Sequence, residues 1–380
     1  MLVPSGHKFS ILPVDFIGIN CQPNLVFQVD GKLTAPPRSD WGGRPKDHWI
    51  CFNGSAKGLA IRGAGSLEGN GRSWWNTSPA NPGVSHEQDL NGDRPHVSTE
   101  TRLENTRHKI SNCFHQYICM QMILIAFGKN VTVSGITLLN SPRMHMFVYG
   151  SEQVEMFNVK VLSPGNSPNT DGIHVSNTQH VRIHHSNISS GDDCVSIQTG
   201  CDDIRVYNVH CNPGHGFSIG GLGEGSSEAR VTNVLVRDST VSGADSLTGV
   251  RIKTWQGGSG YVRNVTFSNI QVSQVGKPIV IDQHYSDRAS GDRPESINSA
   301  VAISGVTYEN ITGTYRAASV LLDCSESQPC RDIIIRGVIM LKPIDSGTTV
   351  APNCSHAFGQ VLARNPTPPL GRCLSGGKVL

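Results

Sequence analysis

Several features that would narrow the function of this 380-residue chain are missing. No apolar run approaches the roughly 20 residues that a membrane-spanning helix needs. Only 16% of the residues are charged, the formal net charge is +2, and no block of like charge occurs. Neither nucleic acid nor a membrane is therefore expected as a partner. No linker or low-complexity tract divides the chain, which predicts a single domain over residues 1–380.

An export signal is also missing, because the first six residues, MLVPSG, have neither a basic start nor an apolar core. N-glycosylation sequons nevertheless indicate a secreted protein, although such triplets also arise freely in turns rich in Asn and Ser. The sequon asparagines are Asn53, Asn76, Asn130, Asn187, Asn264, Asn310 and Asn353. We therefore expect a secreted chain whose N-terminus is truncated.

The eleven cysteines lack the CxxC pairs and Cys/His spacings of a zinc site. Disulfides are the alternative, and they agree with an oxidising compartment. The pairs whose spacing allows a disulfide are Cys194 with Cys211, Cys324 with Cys330, and Cys354 with Cys373. The odd total leaves at least one cysteine without such a partner.

A short pattern recurs along the chain: two apolar residues separated by a polar one, then Asn, Gly or Ser, and another apolar residue. Examples are VTVSGI from Val131 and VTFSNI from Val265. Short strands separated by Gly/Asn turns at such intervals are typical of a β-solenoid, whose stacked turns bury each other's inward side chains. The tighter hairpins of a sandwich fit less well, so we predict an all-β parallel β-helix. The equivalent positions are Val133, Met156, Ile183, Val206, Val236, Phe267, Tyr308 and Ile335.

One stretch, residues 97–125, interrupts this rhythm with an unusual number of His, Cys and Met residues. It is either a genuine surface loop or, in our preferred interpretation, an insertion foreign to the fold, such as retained non-coding sequence. Cys113 and Cys119 lie inside it, so neither is paired here with the other cysteines.

Four motifs follow one another in the middle of the chain: NTD at 169–171, GDD at 191–193, GHG at 214–216 and RIK at 251–253. The first three are about one solenoid turn apart, so stacking would place their side chains on strands roughly 4.8 Å apart. Crowded carboxylates cannot all ionise easily, which raises at least one pKa. Hydrolysis of a glycosidic bond needs such a protonated acid beside an ionised base.

Each motif alone has a simpler interpretation. Paired aspartates such as Asp192 and Asp193 often cap turns or bind calcium, and a lone His215 is more often a turn residue. Arg251 and Lys253 differ by two, so both project from one face of a strand and could be merely solvated. Their joint occurrence with the carboxylates at solenoid spacing favours a site for an anionic sugar.

Two other motifs predict no site. The GGLG run at 220–223 lacks the following Lys-Ser/Thr and the strand-to-helix setting of a phosphate loop. His184 and His185 are adjacent, so on a strand they would point to opposite sides and make a poor metal pair.

Together these residues resemble the plant polygalacturonases of glycoside hydrolase family 28, which degrade pectin. The matching segments are SPNTDGIH from Ser167, GDDCVSI from Gly191, GHGFSI from Gly214, RIKTW from Arg251 and PIVIDQHY from Pro278. The resemblance covers nearly the whole chain except residues 97–125. It implies a right-handed, single-stranded parallel β-helix of the pectin-lyase-like type.

Carried over by position, the resemblance implies that Asp192 is the general acid and that Asp171 and Asp193 activate water, with inversion at the anomeric carbon. His215 would set the protonation and orientation of these acids. The residues implied to bind galacturonate are Asn169, Arg251, Lys253 and Tyr285. A rung spacing of about 5 Å falls in the range of retaining enzymes, since inverting pairs lie about 6.5–9.5 Å apart. Inversion therefore rests on the resemblance.

The implied function is hydrolysis of α-1,4-linked galacturonan in cell-wall pectin, without a metal or organic cofactor. The implied state is a secreted monomer of the cell wall, with inhibitor proteins of the plant cell wall as further partners. Exo-acting cleavage, or action on rhamnogalacturonan or xylogalacturonan, is an alternative within the same class. A truncated, non-folding product or an inactive pectin-binding homologue is the non-enzymatic alternative. Retention of every expected acid argues against the inactive homologue, whereas the missing start and the insertion keep the non-folding alternative open.

The chain also departs from the family pattern. It starts at a segment, VPSG at 3–6, that follows the usual mature N-terminus, so the solenoid would lack its N-terminal cap and Cys21 an upstream partner. Asn212 replaces a glycine before PGHG, and Ser286 stands where plant members often have Cys. Neither replacement removes a catalytic group.

Overall fold

The computed structural model describes residues 1–18, 22–42, 48–54, 58–75, 120–286, 300–345, 351–371 and 373–376. Within these ranges the chain is almost entirely β, with one short helix, α1 (Arg72–Trp75). Two 3-10 turns occupy Arg38–Trp41 and Glu224–Ser226. None of the helices in this part of the chain has the length and apolar character required to span a membrane.

Twenty-nine strands occur within the described ranges. The first fourteen are β1 (Leu2–Val3), β2 (Lys8–Ser10), β3 (Val14–Ile17), β4 (Val26–Val29), β5 (Lys32–Thr34), β6 (His48–Asn53), β7 (Ala60–Arg62), β8 (Ser66–Glu68), β9 (Gln121–Ala126), β10 (Lys129–Ser134), β11 (Thr137–Leu139), β12 (Met146–Tyr149), β13 (Glu152–Phe157) and β14 (Lys160–Leu162). The others are β15 (Ile173–Ser176), β16 (Gln179–Ser189), β17 (Val195–Ile197), β18 (Cys201–Cys211), β19 (Phe217–Leu222), β20 (Glu228–Ser242), β21 (Thr248–Thr254), β22 (Ser259–Val275), β23 (Lys277–Asp282), β24 (Ala302–Tyr315), β25 (Val320–Asp323), β26 (Cys330–Pro343), β27 (Asn353–Ser355), β28 (Ala357–Val361) and β29 (Ser375–Gly376).

These strands form two sheets whose named strands all pair in parallel, and each turn of the chain, called a rung below, contributes to both. The site sheet has eleven of the described strands, which are β3, β6, β9, β12, β15, β17, β19, β21, β23, β25 and β27. The remaining described strands form the long sheet. Parallel pairing between successive rungs is the arrangement of a β-helix, so the predicted fold class is confirmed.

Inward side chains stack in register from rung to rung and form the core. Val133 pairs with Met156, and the column continues through six more rungs to Tyr308 and Ile335. Every member is at most 1% exposed. Because each rung buries its apolar face only against its neighbours, this stacking is what stabilises the solenoid. The eight positions predicted to be equivalent are confirmed.

The Asn or Gly of the repeat is the residue at which the chain turns a corner. These corner residues adopt left-handed backbone, with φ between 49° and 76°, at Gly135, Asn158, His185, Asn208, Asp238, Asn269, Asn310 and Gly337. Glycine has no Cβ to clash in this region, and Asn and Asp tolerate it better than most residues. The Asn310 amide also donates to Asn269 Oδ1 at 2.9 Å, which links adjacent corners.

His185 occupies one of these corners, and this position corrects the prediction that it and His184 point to opposite sides of a strand. The bend at His185 (φ 49°) brings the two Nδ1 atoms to 2.7 Å from each other. The prediction was wrong because alternation of side chains holds only where the backbone is extended.

All three predicted disulfides are present: Cys194–Cys211, Cys324–Cys330 and Cys354–Cys373. The first lies directly after the GDD motif and fixes it to the end of β18. Cys21, Cys113 and Cys119 lie outside the described residues.

The stretch predicted to be foreign to the fold is described only from residue 120 onward. Strand β9 lies in that part, is completely buried, and pairs with both β6 and β12. The boundary at residue 125 was therefore placed too late, since β9 belongs to the site sheet. Residues 97–119 lie outside the described chain.

Candidate active site

The outer face of the site sheet carries one side chain per rung in a straight row. These residues, paired in register on consecutive strands, are Phe147, His174, Ser196, Ser218 and Arg251. Neighbouring strands of a sheet are roughly 4.8 Å apart, so side chains on adjacent rungs can contact each other.

Three of the predicted motifs lie just before these strands, at the same place on consecutive rungs. Asp171, Asp193 and His215 each precede the first residue of β15, β17 and β19 by two positions. Backbone hydrogen bonds fix this alignment, because Gly172 N donates to Asp193 O at 2.9 Å and Cys194 N donates to Gly216 O at 2.9 Å. The parallel register therefore brings together residues that are about twenty positions apart in the sequence.

Asp193 lies at the centre of the cluster and is 1% exposed. Its Oδ1 accepts hydrogen bonds from Arg251 Nη2 at 2.8 Å and Ser218 Oγ at 2.6 Å, and its Oδ2 lies 3.3 Å from Lys253 Nζ. Burial opposes ionisation, but the charges of Lys253 and Arg251 outweigh it and hold the pKa of Asp193 below its usual range. Asp193 is therefore ionised in the resting site.

Asp192 is partly exposed and contacts His215, whose Nδ1 lies 3.1 Å from Asp192 Oδ1. The backbone N of His215 also donates to Asp192 O at 2.8 Å. Burial would raise the pKa of Asp192, but the charge of His215, aided by Lys253 and Arg251, holds it well below its usual range. Burial would conversely lower the pKa of His215, and the negative charge of Asp192 raises it instead.

Asp171 is the carboxyl whose pKa rises. Burial is the main cause, and the neighbouring charge of Asp192 adds to it. His174 opposes the shift, since its Nδ1 lies 3.0 Å from Asp171 Oδ2. The pKa of Asp171 therefore shifts in the opposite direction to the pKa values of Asp192 and Asp193. At Asp171 burial outweighs the influence of His174, whereas nearby cations outweigh burial at the other two carboxyls.

Tyr285 lies beside Lys253, one of the two cations of the cluster. Lys253 Nζ lies 5.0 Å from the centre of its ring, and the Trp255 ring packs against it edge-on at 5.5 Å. Gly221 makes this packing possible, because a Cβ there would come within 3.2 Å of the Tyr285 ring and 2.8 Å of Trp255 Nε1. The GGLG run therefore has a steric role beside the cluster.

Asn169 lies at the opposite edge of the cluster, in the turn that precedes Asp171. It is half-buried and has left-handed backbone, with φ of 52°. The hydroxyls of Ser167 and Thr170 lie 2.6 Å apart in this turn, and Gly191 N donates to Thr170 Oγ1 at 2.9 Å. The turn is thus held against the GDD motif of the next rung.

Sequence reasoning assigned no role to His174 or Ser218, although each contacts an aspartate of the cluster. A signal was available, because His174 lies three residues after Asp171 and Ser218 three residues after His215. In parallel register this equal offset places both in the outer row. His145, which contacts Asp171 from the preceding rung, gave no comparable signal.

Two groups of side chains in the described ranges hold potential metal ligands within 4.8 Å of one another. One is Asp192, Asp193 and His215, where Arg251 and Lys253 already supply positive charge and would repel a divalent ion. The other is Asp15, His48 and Cys51, which lie on β3 and β6, away from the aspartate cluster.

Comparison with known proteins gives consistent matches. Residues 104–356 match the profile of "Glycosyl hydrolases family 28". The chain is 36% identical over 358 residues to polygalacturonase QRT2 of Arabidopsis thaliana, covering 94% of this chain and 73% of that protein. It is 35% identical over 358 residues to a polygalacturonase of Persea americana, covering 94% and 70% of the two chains.

A solved structure supports the fold. The polygalacturonase of Erwinia carotovora subsp. carotovora superposes with a TM-score of 0.66 at 23% identity, over 93% of this chain and 86% of that one. At this identity the likeness concerns the parallel β-helix and not the details of the site.

Proposed function

The chain belongs to glycosyl hydrolases family 28 and is a glycoside hydrolase, and we propose that it is a polygalacturonase that cleaves α-1,4 bonds between galacturonate units of pectin. The observation that carries the proposal is the cluster of three carboxylates, one histidine and two cations on one face of the site sheet. Its members are Asp171, Asp192, Asp193, His215, Arg251 and Lys253. Carboxyl groups supply the proton transfers of glycoside hydrolysis, and cations match an acidic sugar.

In the proposed reaction, Asp192 donates a proton to the glycosidic oxygen as the bond from that oxygen to the anomeric carbon breaks. Asp171 and Asp193 orient a water molecule and accept its proton, while the water oxygen forms the new bond to the anomeric carbon. The proton returns to Asp192 through solvent. Asp193 suits the role of base because Lys253 and Arg251 keep it ionised.

A general acid must carry a proton, whereas the pKa of Asp192 is low in the resting site. Substrate binding offers a way to reverse this. A galacturonate carboxylate bound by Lys253 and Arg251 would cancel part of the positive charge that now acts on Asp192. The pKa of Asp192 would then rise, with His215 left as its principal cationic partner, so that binding of the acidic sugar favours protonation of the acid.

Tyr285 and Asn169 complete the proposed substrate-binding group. The Tyr285 ring is fixed by Trp255 and presents an aromatic surface beside Lys253, suited to packing against a sugar ring. The Asn169 amide offers both a donor and an acceptor to sugar hydroxyls. Its left-handed turn lies two residues before Asp171, so the proposed binding and catalytic groups share one short segment.

We also propose a secreted monomer that acts on cell-wall pectin and is recognised by cell-wall inhibitor proteins. The three disulfides support an extracellular location. Sedimentation of the purified protein tests the monomer, since a stable dimer would sediment faster.

Release of reducing ends from polygalacturonate at mildly acidic pH tests the function. Asp192→Asn is expected to lower kcat by roughly 10²–10⁴-fold, the usual contribution of a general acid. Asp203→Asn is the matched control, because it makes the same change outside the cluster at a left-handed position (φ 52°) that suits Asn. Full activity in Asp192→Asn, or an inactive wild type, contradicts the proposal.

Inversion needs its own measurement. NMR of the first-formed product is expected to show the anomer opposite to that of the substrate. Net retention would require a covalent intermediate and would reassign Asp171 or Asp193 as the nucleophile.

A further inference from the structure

His145 is a completely buried histidine that the proposed reaction does not use. It immediately precedes β12, one rung before the turn that carries Asp171. Its backbone N donates to Asp171 O at 2.8 Å, and its ring Nδ1 lies 3.0 Å from the same oxygen. Two nitrogen atoms of one residue therefore converge on a single carbonyl of the catalytic cluster.

The neighbours of the ring define its tautomer. Ser141 N, which can only donate, lies 3.4 Å from His145 Nε2, and Ser163 Oγ lies 2.8 Å from the same atom. Nε2 is therefore the acceptor, and Nδ1 carries the hydrogen that is donated to Asp171 O. Burial also lowers the pKa of His145 to about 4, against the opposing effect of nearby backbone hydrogen bonds. The ring is accordingly neutral near neutral pH.

The peptide group between Asp171 and Gly172 is consequently held from both sides. Its carbonyl accepts from His145 on the preceding rung, while its N–H donates to Asp193 O on the following rung at 2.9 Å. Ser163 connects the same ring to the rung of Asp193. Its hydroxyl contacts His145 Nε2, and its backbone N donates at 2.8 Å to the carbonyl oxygen of Ser189, which precedes Asp193 on the same rung.

We infer that His145 is a positioning residue for Asp171: its neutral ring orients the 171–172 peptide and thereby aims the Asp171 carboxyl at the reacting water. This inference rests on the proposed function. A misplaced base retains its charge but loses alignment, and misalignment of about 1 Å can cost roughly 100-fold in rate. Removal of the ring is therefore expected to lower kcat and leave KM nearly unchanged, since Arg251 and Lys253 remain in place.

The test compares His145→Asn with His145→Leu. The Asn amide can place an N–H near the position of Nδ1, whereas Leu fills space without a donor. With polygalacturonate as substrate, Leu is expected to lower kcat by up to about 100-fold, with KM within about 2-fold, and Asn is expected to recover most of the loss. The control is Ile335→Ala, in the core column far from the cluster. This variant is destabilised but keeps the hydrogen-bond donor of His145.

The outcomes separate the two proposals. Equal loss of kcat in the Asn and Leu variants, or the same loss in Ile335→Ala at matched melting temperature, overturns the positioning role. An inactive wild type overturns the proposed function instead. A readout without turnover is the ¹⁵N NMR spectrum of the His145 ring, which is expected to show a protonated Nδ1 and an unprotonated Nε2. A protonated Nε2 in the neutral ring would refute the inferred hydrogen bond to Asp171.

Discussion

Arg251 Nη2 and Asp193 Oδ1 are 2.8 Å apart, and both side chains are buried. The cation proposed to bind the substrate carboxylate is therefore paired, in the resting site, with a carboxylate proposed to activate water. Lys253 shares this partner. The substrate must thus compete with Asp193 for the two cations, which links binding of the acidic sugar to the charge balance of the aspartates.

The first prediction concerns the cost of breaking this pair. Arg251→Met leaves Asp193 buried with Lys253 as its remaining cation, and removal of one partner of a buried pair typically costs about 3–5 kcal/mol. Because Lys253 remains, we expect a loss of stability at the lower end of this range, about 3 kcal/mol. The free energy of unfolding, measured by urea denaturation, tests this value. Arg230→Met, at an exposed ion pair with Glu228, is the control and is expected to leave stability unchanged. Equal effects of the two replacements would contradict the burial argument.

The second prediction concerns pH. Burial lowers the pKa of His145 from its ordinary value of 6.5 to about 4. As pH falls through this range, the unfolded chain takes up a proton that the folded chain does not, so folding stability is lost. The stability advantage of the wild type over His145→Asn is expected to shrink by about 3 kcal/mol between pH 7 and pH 4. Urea titrations at the two pH values measure it, and a constant difference would show that the ring is not buried in its neutral form.

The third prediction concerns the Cys194–Cys211 disulfide, which spans 17 residues. Its replacement by two serines is expected to cost about 3 kcal/mol of stability through the added freedom of the unfolded chain. Activity should fall as well, because Cys194 follows Asp193 directly and its backbone N donates to Gly216 O.

The matched control is Cys324–Cys330, which spans six residues. Its removal is expected to cost about 2 kcal/mol while leaving kcat unchanged in the folded protein. Loss of kcat in the control, or none in the test variant, would refute a local effect of the first disulfide on the cluster.

The fourth prediction concerns the corners. Asn310 has φ of 52°, so Ala there is strained while Gly is not. Both replacements lose the same side-chain bonds to Asn269 and Val338. We expect Asn310→Ala to unfold more easily than Asn310→Gly by about 1 kcal/mol, measured by urea denaturation. At Thr307, inside strand β24, the order is expected to reverse; the same order at both positions would contradict the role of the corner.

Much of this architecture was predictable because a solenoid repeats one local rule. The column from Val133 to Ile335 was assigned from sequence alone and proved to be in register, since each rung needs an inward apolar residue at the same place. Strand β9 was not recognised, because its side chains are buried on both faces and alternation disappears.

The site was predictable in position but not in contacts. Parallel stacking follows from spacing, so Asp171, Asp193 and His215 could be placed together. Which cation pairs with which acid depends on side-chain conformation across two rungs, and the sequence carries no signal for it. The same holds for His145, whose significance comes from a carbonyl oxygen of another rung. His185 was misjudged because a residue other than Asn, Asp or Gly occupied a corner.

The interval from Val133 to Met156 is 23 residues and that from Phe267 to Tyr308 is 41, yet both pairs align in the same column. A rung can thus gain or lose residues between its strands without moving the side chains that the strands present. For an enzyme acting on a variable polymer, this separates two kinds of evolutionary change. Segments between strands can diverge to suit new branching or decoration of the polysaccharide, while the side chains of the proposed site keep their mutual distances.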